Sequence, residues 1–199
     1  MVRHFAMNQL GNGLFFTGQH EDALSVREAE LSTMRRVGDS QDNILASQSN
    51  LAMTYHEFGR LDESMRLRHD VYSGTLKLYG EEHKYTFLEA NNYANMLASV
   101  ERYEKAKSLL RRQIPVARRV LGEGCETTLR MRYNYARALY IDPAATLDDL
   151  SEAVTTFEDM GRLARRVFGG SHPLTKKIDG DLRQARAALR AGRETPGDA

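Results

Sequence analysis

Apolar and polar positions in this chain follow the 3.6-residue spacing of amphipathic helices, and the pattern itself recurs along the sequence. Leu51, Ala52 and Tyr55 lie at helical spacing before a turn at Phe58-Gly59-Arg60, and Ser64, Leu67 and Val71 resume the spacing afterwards. Tyr93, Ala94 and Leu97 repeat the arrangement, followed by a polar turn near Glu101-Arg102 and then by Ala106, Leu109, Leu110, Ile114, Ala117 and Leu121. Each stretch predicts a helical hairpin. Asn50, Asn92 and Asn134 stand 42 residues apart, each followed by a bulky apolar residue and Ala, and Gly38, Gly80 and Gly122 keep the same step. Self-similarity at this length predicts stacked supersecondary units, none of which buries its apolar face alone.

The register is strict only in the centre. Leu10 and Gly11 stand 41 before Leu51 and Ala52, and Ala23 stands 41 before Ser64, so the second helix of the first unit lacks one residue. In the fourth unit Tyr135, Ala136 and Leu139 are in phase, but Ala153 falls 47 after Ala106 and Gly169 falls 47 after Gly122. The spacing thus predicts five residues inserted between the helices of that unit, with Thr146 and Asp149 as an N-cap pair for its second helix. The run Leu174–Leu189 closes the array with one side in water. Pro115 removes a backbone hydrogen bond inside a helix and predicts a bend. The expected organisation is a single array over 1–190, with repeats at about 3–38, 39–80, 81–122 and 123–169, a closing helix over about 174–190 and a disordered tail over 191–199.

Composition narrows the function classes. With 41% hydrophobic and 28% charged residues the chain is neither disordered by composition nor apolar enough to span a membrane. Arg3, His4, Asn8, Gln9 and Asn12 interrupt any secretion-signal core. The single Cys125 excludes an internal disulfide and fits a reducing, cytoplasmic location. Net charge is +1 but uneven: ten Lys or Arg against three Glu from Arg102 to Arg137, and thirteen acidic against eight basic residues from His20 to Ala90. The array has an acidic front half and a basic middle.

Side-chain size separates the helical-pair families. A large apolar residue followed at once by a small one, then an aromatic or Leu four positions on and Ala or Ser thirteen on, is the tetratricopeptide arrangement; the small positions are Gly11, Ala52, Ala94 and Ala136, then Ala23, Ser64, Ala106 and Ala153. The connectors are Tyr79-Gly80-Glu81-Glu82-His83, Leu121-Gly122-Glu123-Gly124-Cys125 and Phe168-Gly169-Gly170-Ser171-His172-Pro173. With this longer unit the chain, from about Phe5 to Leu189, closely resembles the tetratricopeptide repeats of kinesin light chains and nephrocystin-3. Cys125 stands where His is usual, and only the last connector keeps a His-Pro pair. No heptad stretch precedes the repeats, so the resemblance covers the repeat region and not the light-chain coiled coil. It implies an all-α, right-handed α-solenoid of four antiparallel hairpins plus a closing helix.

The resemblance also implies that the first helix of each pair lines a concave face, with the residue before the large-small pair pointing into it. That position holds Gln9, Asn50, Asn92, Asn134 and Asp181; Asn12, Met53, Asn95 and Arg137 lie one turn on, and Ala46, Leu88 and Arg130 one turn earlier. The expected peptide-binding groove is Asn12, Asn50, Met53, Asn92, Asn95, Arg130, Asn134 and Arg137. A row of amides hydrogen-bonds an extended backbone. Arg130 and Arg137 suit acidic side chains, since guanidinium pairs with both carboxylate oxygens. The alternative is that Asn at these positions caps a helix, bridges hairpins or faces water.

Other signals carry less. Arg35-Arg36, Arg118-Arg119 and Arg165-Arg166 fall in the last turns of second helices, where the macrodipole favours cations; with Arg111 and Arg112 they offer an alternative convex ridge for nucleic acid or an anionic surface. The six histidines lack metal-ligand spacing, Gly11-Asn12-Gly13 is not a dinucleotide loop, and no acid-base constellation is visible. The expectation is a non-enzymatic adaptor without cofactor, metal or small-molecule substrate, taking a protein or peptide partner. Self-association or assembly through the edge of the first repeat is a further alternative.

Overall fold

The computed structural model describes residues 2–194, with side chains over 6–194. Among these residues there are nine α-helices and no strand: α1 Val2–Phe16, α2 His20–Val37, α3 Gln41–Glu57, α4 Leu61–Tyr79, α5 Lys84–Ser99, α6 Tyr103–Leu121, α7 Glu126–Ile141, α8 Leu147–Phe168 and α9 Pro173–Glu194. The fold class is all-α, built of helical hairpins as the periodicity predicts. The chain packs as two compact units, Met1–Glu89 and Ala90–Ala199, whose division falls within α5.

In the first unit α1 packs on α2, α2 on α3 and α3 on α4. Small residues let the helices of a hairpin approach: Ala52 and Ser64 are both 0% exposed, and the Ser64 hydroxyl donates to the Ala52 carbonyl at 2.7 Å. Gly74 of α4 lies so close to α3 that a Cβ there would stand 2.6 Å from Leu45 Cδ2. The turn inside each of the first three hairpins is one motif. Gly18, Gly59 and Glu101 take φ of 79°, 68° and 59°, and the next residue's N–H donates five residues back: Gln19 to Leu14, Arg60 to Tyr55 and Arg102 to Leu97, at 2.9, 2.9 and 2.8 Å.

α2 has 18 residues against 19 in α4 and α6, in keeping with the missing residue. Counted from the small residue, Val37, Leu78, Val120 and Val167 are equivalent and all exposed, so the absent residue is the last one, where Tyr79, Leu121 and Phe168 stand. Gly38, left-handed at φ 68°, takes its place.

In the second unit α6 packs on α7, α7 on α8, and α9 on both α7 and α8. Leu129, Tyr133, Phe157, Met160, Leu174 and Ile178 form a continuous core. The insertion in the fourth hairpin is distributed differently from the spacing's prediction. The α7–α8 connector has five residues, 142–146, against three, 100–102, between α5 and α6; the other three inserted residues extend the start of α8, which begins six before Ala153 where α6 begins three before Ala106. The turn and the helix start share the extra length because Thr146 and Asp149 close a reciprocal capping box there. α6 runs unbroken through Pro115. α9 continues to Glu194, so 191–194 are helical and not tail; 195–199 lie outside the described residues.

Two connectors share a cap. His83 stacks on Tyr79 and accepts the N–H of Tyr85 at Nδ1 (3.3 Å), while His172 stacks on Phe168 and accepts the N–H of Leu174 (3.2 Å). Thr86 and Thr175 donate to the carbonyls of Gly80 and Gly169 at 2.6 and 2.9 Å. At the third connector Cys125 makes no side-chain cap, and the buried Thr128 hydroxyl finds no partner among the described residues.

Candidate functional site

The expected groove residues fall on first helices as the register requires, at i, i+3 in α3 (Asn50, Met53) and α5 (Asn92, Asn95), and at i, i+4, i+7 in α7 (Arg130, Asn134, Arg137). Each set occupies one helix face. Their chemistry differs between the units.

In the first unit the Asn positions serve a buried cation. Arg27 of α2 is 1% exposed; it donates to Asn12 Oδ1 at 2.8 Å, to the Asn50 carbonyl at 2.9 Å and to the Thr54 hydroxyl, and its guanidinium lies 4.9 Å from the centre of the Phe15 ring. Burial pulls its pKa down, against the field of Glu30. Asn12 also donates to Asn8 at 3.1 Å. Asn12 thus has a structural bond competing with any ligand. Asn50 keeps its side chain half-buried and, among the described residues, without a hydrogen bond, beside the half-buried Met53.

In the second unit Asn134 donates to the buried Asn91 at 2.8 Å, which ties α7 to α5 next to the half-buried Asn92. Asn95 is exposed. Arg130 is exposed and paired with Glu126 one turn back, at 2.9 and 2.7 Å. Arg137 is half-buried and, among the described residues, makes no hydrogen bond or ion pair. Its positive charge faces Tyr133 and Tyr140, where it opposes the rise in both pKa values. Asp181, aligned with the Asn row, accepts the hydroxyl of Tyr133, whose pKa is pushed up by burial and by that bond; Lys177 Nζ lies 4.9 Å from the Tyr133 ring centre. Tyr140 is pushed up to about 12, first by burial and then by Asp181. Asn92, Asn95, Asn134 and Arg137 supply amide donors and acceptors with one uncommitted guanidinium.

Sequence reasoning missed the buried charges. Arg68 of α4 donates to Ser49 Oγ at 2.8 Å and lies 3.6 Å from Glu89, which also accepts from Ser49 at 3.1 Å. Burial lowers the Arg68 pKa and Glu89 opposes the shift. Lys107, 4% exposed, reaches Asp142 at 3.1 Å and Glu104. The available signal was positional: Arg27 and Arg68 stand four residues after the small residue, where α6 and α8 place Leu110 and Phe157. Among the cations of the alternative ridge, Arg111 bonds the Tyr135 hydroxyl, Arg118 pairs with Glu123 and Arg165 with Asp179, so these three are engaged. No described helix is long and apolar enough to cross a membrane.

Comparison with known proteins identifies the fold. Residues 3–67 match the family described as "Tetratricopeptide repeat". The chain has the tetratricopeptide-repeat fold. Nearly its whole length superposes on solved kinesin light chain-type repeats, the nearly identical TPR-like repeats assigned to a kinesin light chain of Podosopora anserina. A single-substitution variant of those repeats matches at TM-score 0.74 and 20% identity, covering 96% of this chain and 93% of that one, and the parent repeats match at 0.72 and 19%, covering 99% and 98%. BtubC (BKLC) from P. vanneervenii is similar at TM-score 0.63 and 16% identity, covering 97% of this chain and 83% of that one. No curated protein matches. At these identities the superpositions speak for the fold alone, and they agree with the kinesin light chain-type repeat length and connectors.

Proposed function

We propose that this chain is a non-enzymatic protein-interaction module that holds an extended, acidic peptide segment against its first helices, centred on Asn92, Asn95, Arg130, Asn134 and Arg137. The tetratricopeptide fold supports the general role. The observation that carries the acidic preference is Arg137, a half-buried residue whose guanidinium has no carboxylate partner among the described residues, on the face that also bears Asn134 and Arg130. A ligand carboxylate there would gain a charge-assisted contact. Asn92, Asn95 and Asn134 would meet the peptide backbone, and Asn50 and Met53 are the matching positions of the first unit. On this reading residues 1–190 work as one array in the cytoplasm, which the lone Cys125 fits.

The test is fluorescence anisotropy with acidic and charge-neutral extended peptides. Arg137→Glu should weaken acidic-peptide binding by about tenfold or more, roughly 1.4 kcal/mol, and Arg130→Glu by less because Glu126 already partners it. Equal binding of the acidic peptides to wild type and to the double variant sinks the assignment. A second reading, assembly through the first repeat, is favoured by the exposure of Leu10 and Phe16 on α1, at 54% and 79%.

A further inference from the structure

The repeat register shows which positions of α1 lack a cover. Ala6, Leu10 and Gly13 stand 41 residues before Ser47, Leu51 and Thr54 of α3, and two 42-residue steps beyond those lie Met131, Tyr135 and Ala138 of α7. In α3 and α7 these positions are buried: Ser47, Leu51 and Thr54 are 1%, 3% and 0% exposed, and Met131, Tyr135 and Ala138 are 0%, 6% and 0% exposed. The preceding second helix reaches them, since Arg27 of α2 bonds Thr54 and Arg111 of α6 bonds Tyr135. On α1 the same face is open. Leu10 is 54% exposed, Ala6 and Gly13 are exposed, and a Cβ on Gly13 would meet nothing within 4 Å. From Ala6 to Thr17 the chain carries no Asp, Glu, Lys or Arg. A charge-free face at positions buried by a helix elsewhere in the fold is a helix-docking surface.

We propose that a second copy of this chain covers it, through a two-fold, antiparallel contact of α1 with its partner's α1. The contact gives the assembly reading a specific form and is independent of the peptide face on α5 and α7. The face is self-complementary in that direction. Antiparallel pairing about a point between Gly11 and Asn12 sets Leu10 against Gly13 of the partner subunit and Ala6 against Thr17 of the partner subunit, large against small in the first pair and small against small in the second, where the exposed Phe16 has room beside it. The other exposed terminal helix does not fit: α9 presents Lys176, Arg183 and Arg190 outward, and an apolar face gains nothing by covering three cations. One helix pair buries less than the roughly 1,000 Å² of a stable interface, so the dimer is weak and concentration-dependent.

Sedimentation velocity on the full chain, from micromolar to several hundred micromolar, tests it. A monomer–dimer equilibrium is expected, weakened about tenfold or more by Leu10→Glu with helical circular dichroism unchanged; should that variant lose its helicity, Gly13→Lys serves, because a Cβ there meets no atom within 4 Å among the described residues. On a Cys125→Ser background, a mixture of Leu10→Cys and Gly13→Cys chains should form the mixed disulfide faster than either self-disulfide. A monomer at every concentration overturns the proposal. So does a dimer that survives Leu10→Glu, growth beyond a dimer, loss of association in Arg183→Glu, or self-disulfides as fast as the mixed one.

Discussion

His83 lies flat on Tyr79, ring centres 4.4 Å apart and planes 12° apart, while its Nδ1 accepts the N–H of Tyr85. The stack holds the imidazole edge-on to the first turn of α5, where free N–H groups need acceptors. Phe168 and His172 repeat the device ahead of α9, at 4.7 Å and 24°. Leu121 and Cys125 occupy the same two places ahead of α7, so the third connector has lost both the platform and the acceptor.

Restoring the pair should therefore stabilise the second unit. Leu121→Tyr with Cys125→His is expected to add about 1 kcal/mol, the usual worth of an N-cap, and Cys125→His alone should give less because nothing orients the ring. Urea unfolding of the two variants checks this. Equal midpoints for wild type and double variant would show that the stack does not create the cap.

Glu101 sits at φ 59°, where the equivalent turns carry Gly18 and Gly59. A left-handed conformation costs a residue with a Cβ about 1 kcal/mol. Glu101→Gly should raise stability by roughly that amount, less the extra chain entropy glycine brings to the unfolded state, and Gly59→Ala should lower it. The thermal midpoints of the two single variants, moving in opposite directions, are the readout.

The hairpins, their turns and most of the register are legible because each depends on residues close in sequence: a large-small pair, a left-handed turn residue, a cap. Less legible is what a polar residue does once several helices meet. Asn12 and Asn50 are both expected on the groove face, one turn apart in the repeat, yet Asn12 commits its amide oxygen to Arg27 while Asn50 lends only its carbonyl. Arg27 itself looks like a solvated cation until the fold puts Thr54, Asn12 and Phe15 around it. Spacing already sets Arg130 apart, since Glu126 stands four residues before it in the same helix, but only the packing shows that no described carboxylate engages Arg137. Such differences arise from contacts between helices, which no local pattern encodes.

The Arg68, Ser49 and Glu89 cluster offers a direct measure of a buried charge pair. The equivalents of Arg68 and Glu89 in the next repeat are Leu110 and Met131, both 0% exposed. Arg68→Leu or Glu89→Met alone leaves one charge buried without its partner and should cost about 3 kcal/mol. The double variant, copying the apolar pair, should recover most of that loss. A double-mutant cycle in urea reads the coupling, and additive single effects would mean that the pair is solvated enough to act as two separate groups.

Tyrosines give the chain a defined alkaline limit. Tyr55 is pushed up to about 12 by burial and by donating to Glu28 at 2.8 Å, Tyr140 to about 12 by burial and Asp181, and Tyr133 further in the same direction by burial and Asp181. A phenol whose folded pKa lies above its unfolded value, about 10, stabilises the fold fully below that unfolded value and loses its contribution as pH rises through the folded one. Stability should thus be flat from neutrality to about pH 9 and then decline steadily as pH rises from about 10 to 12. Absorbance at the phenolate band should show these side chains ionising together with the loss of helical circular dichroism. Tyr133→Phe removes one of these linkages and takes a donor from Asp181. The variant should be less stable at neutral pH and lose less on going from about pH 9 to about pH 11. An alkaline decline as steep in Tyr133→Phe as in the wild type would show that the Tyr133–Asp181 bond is not part of what fails.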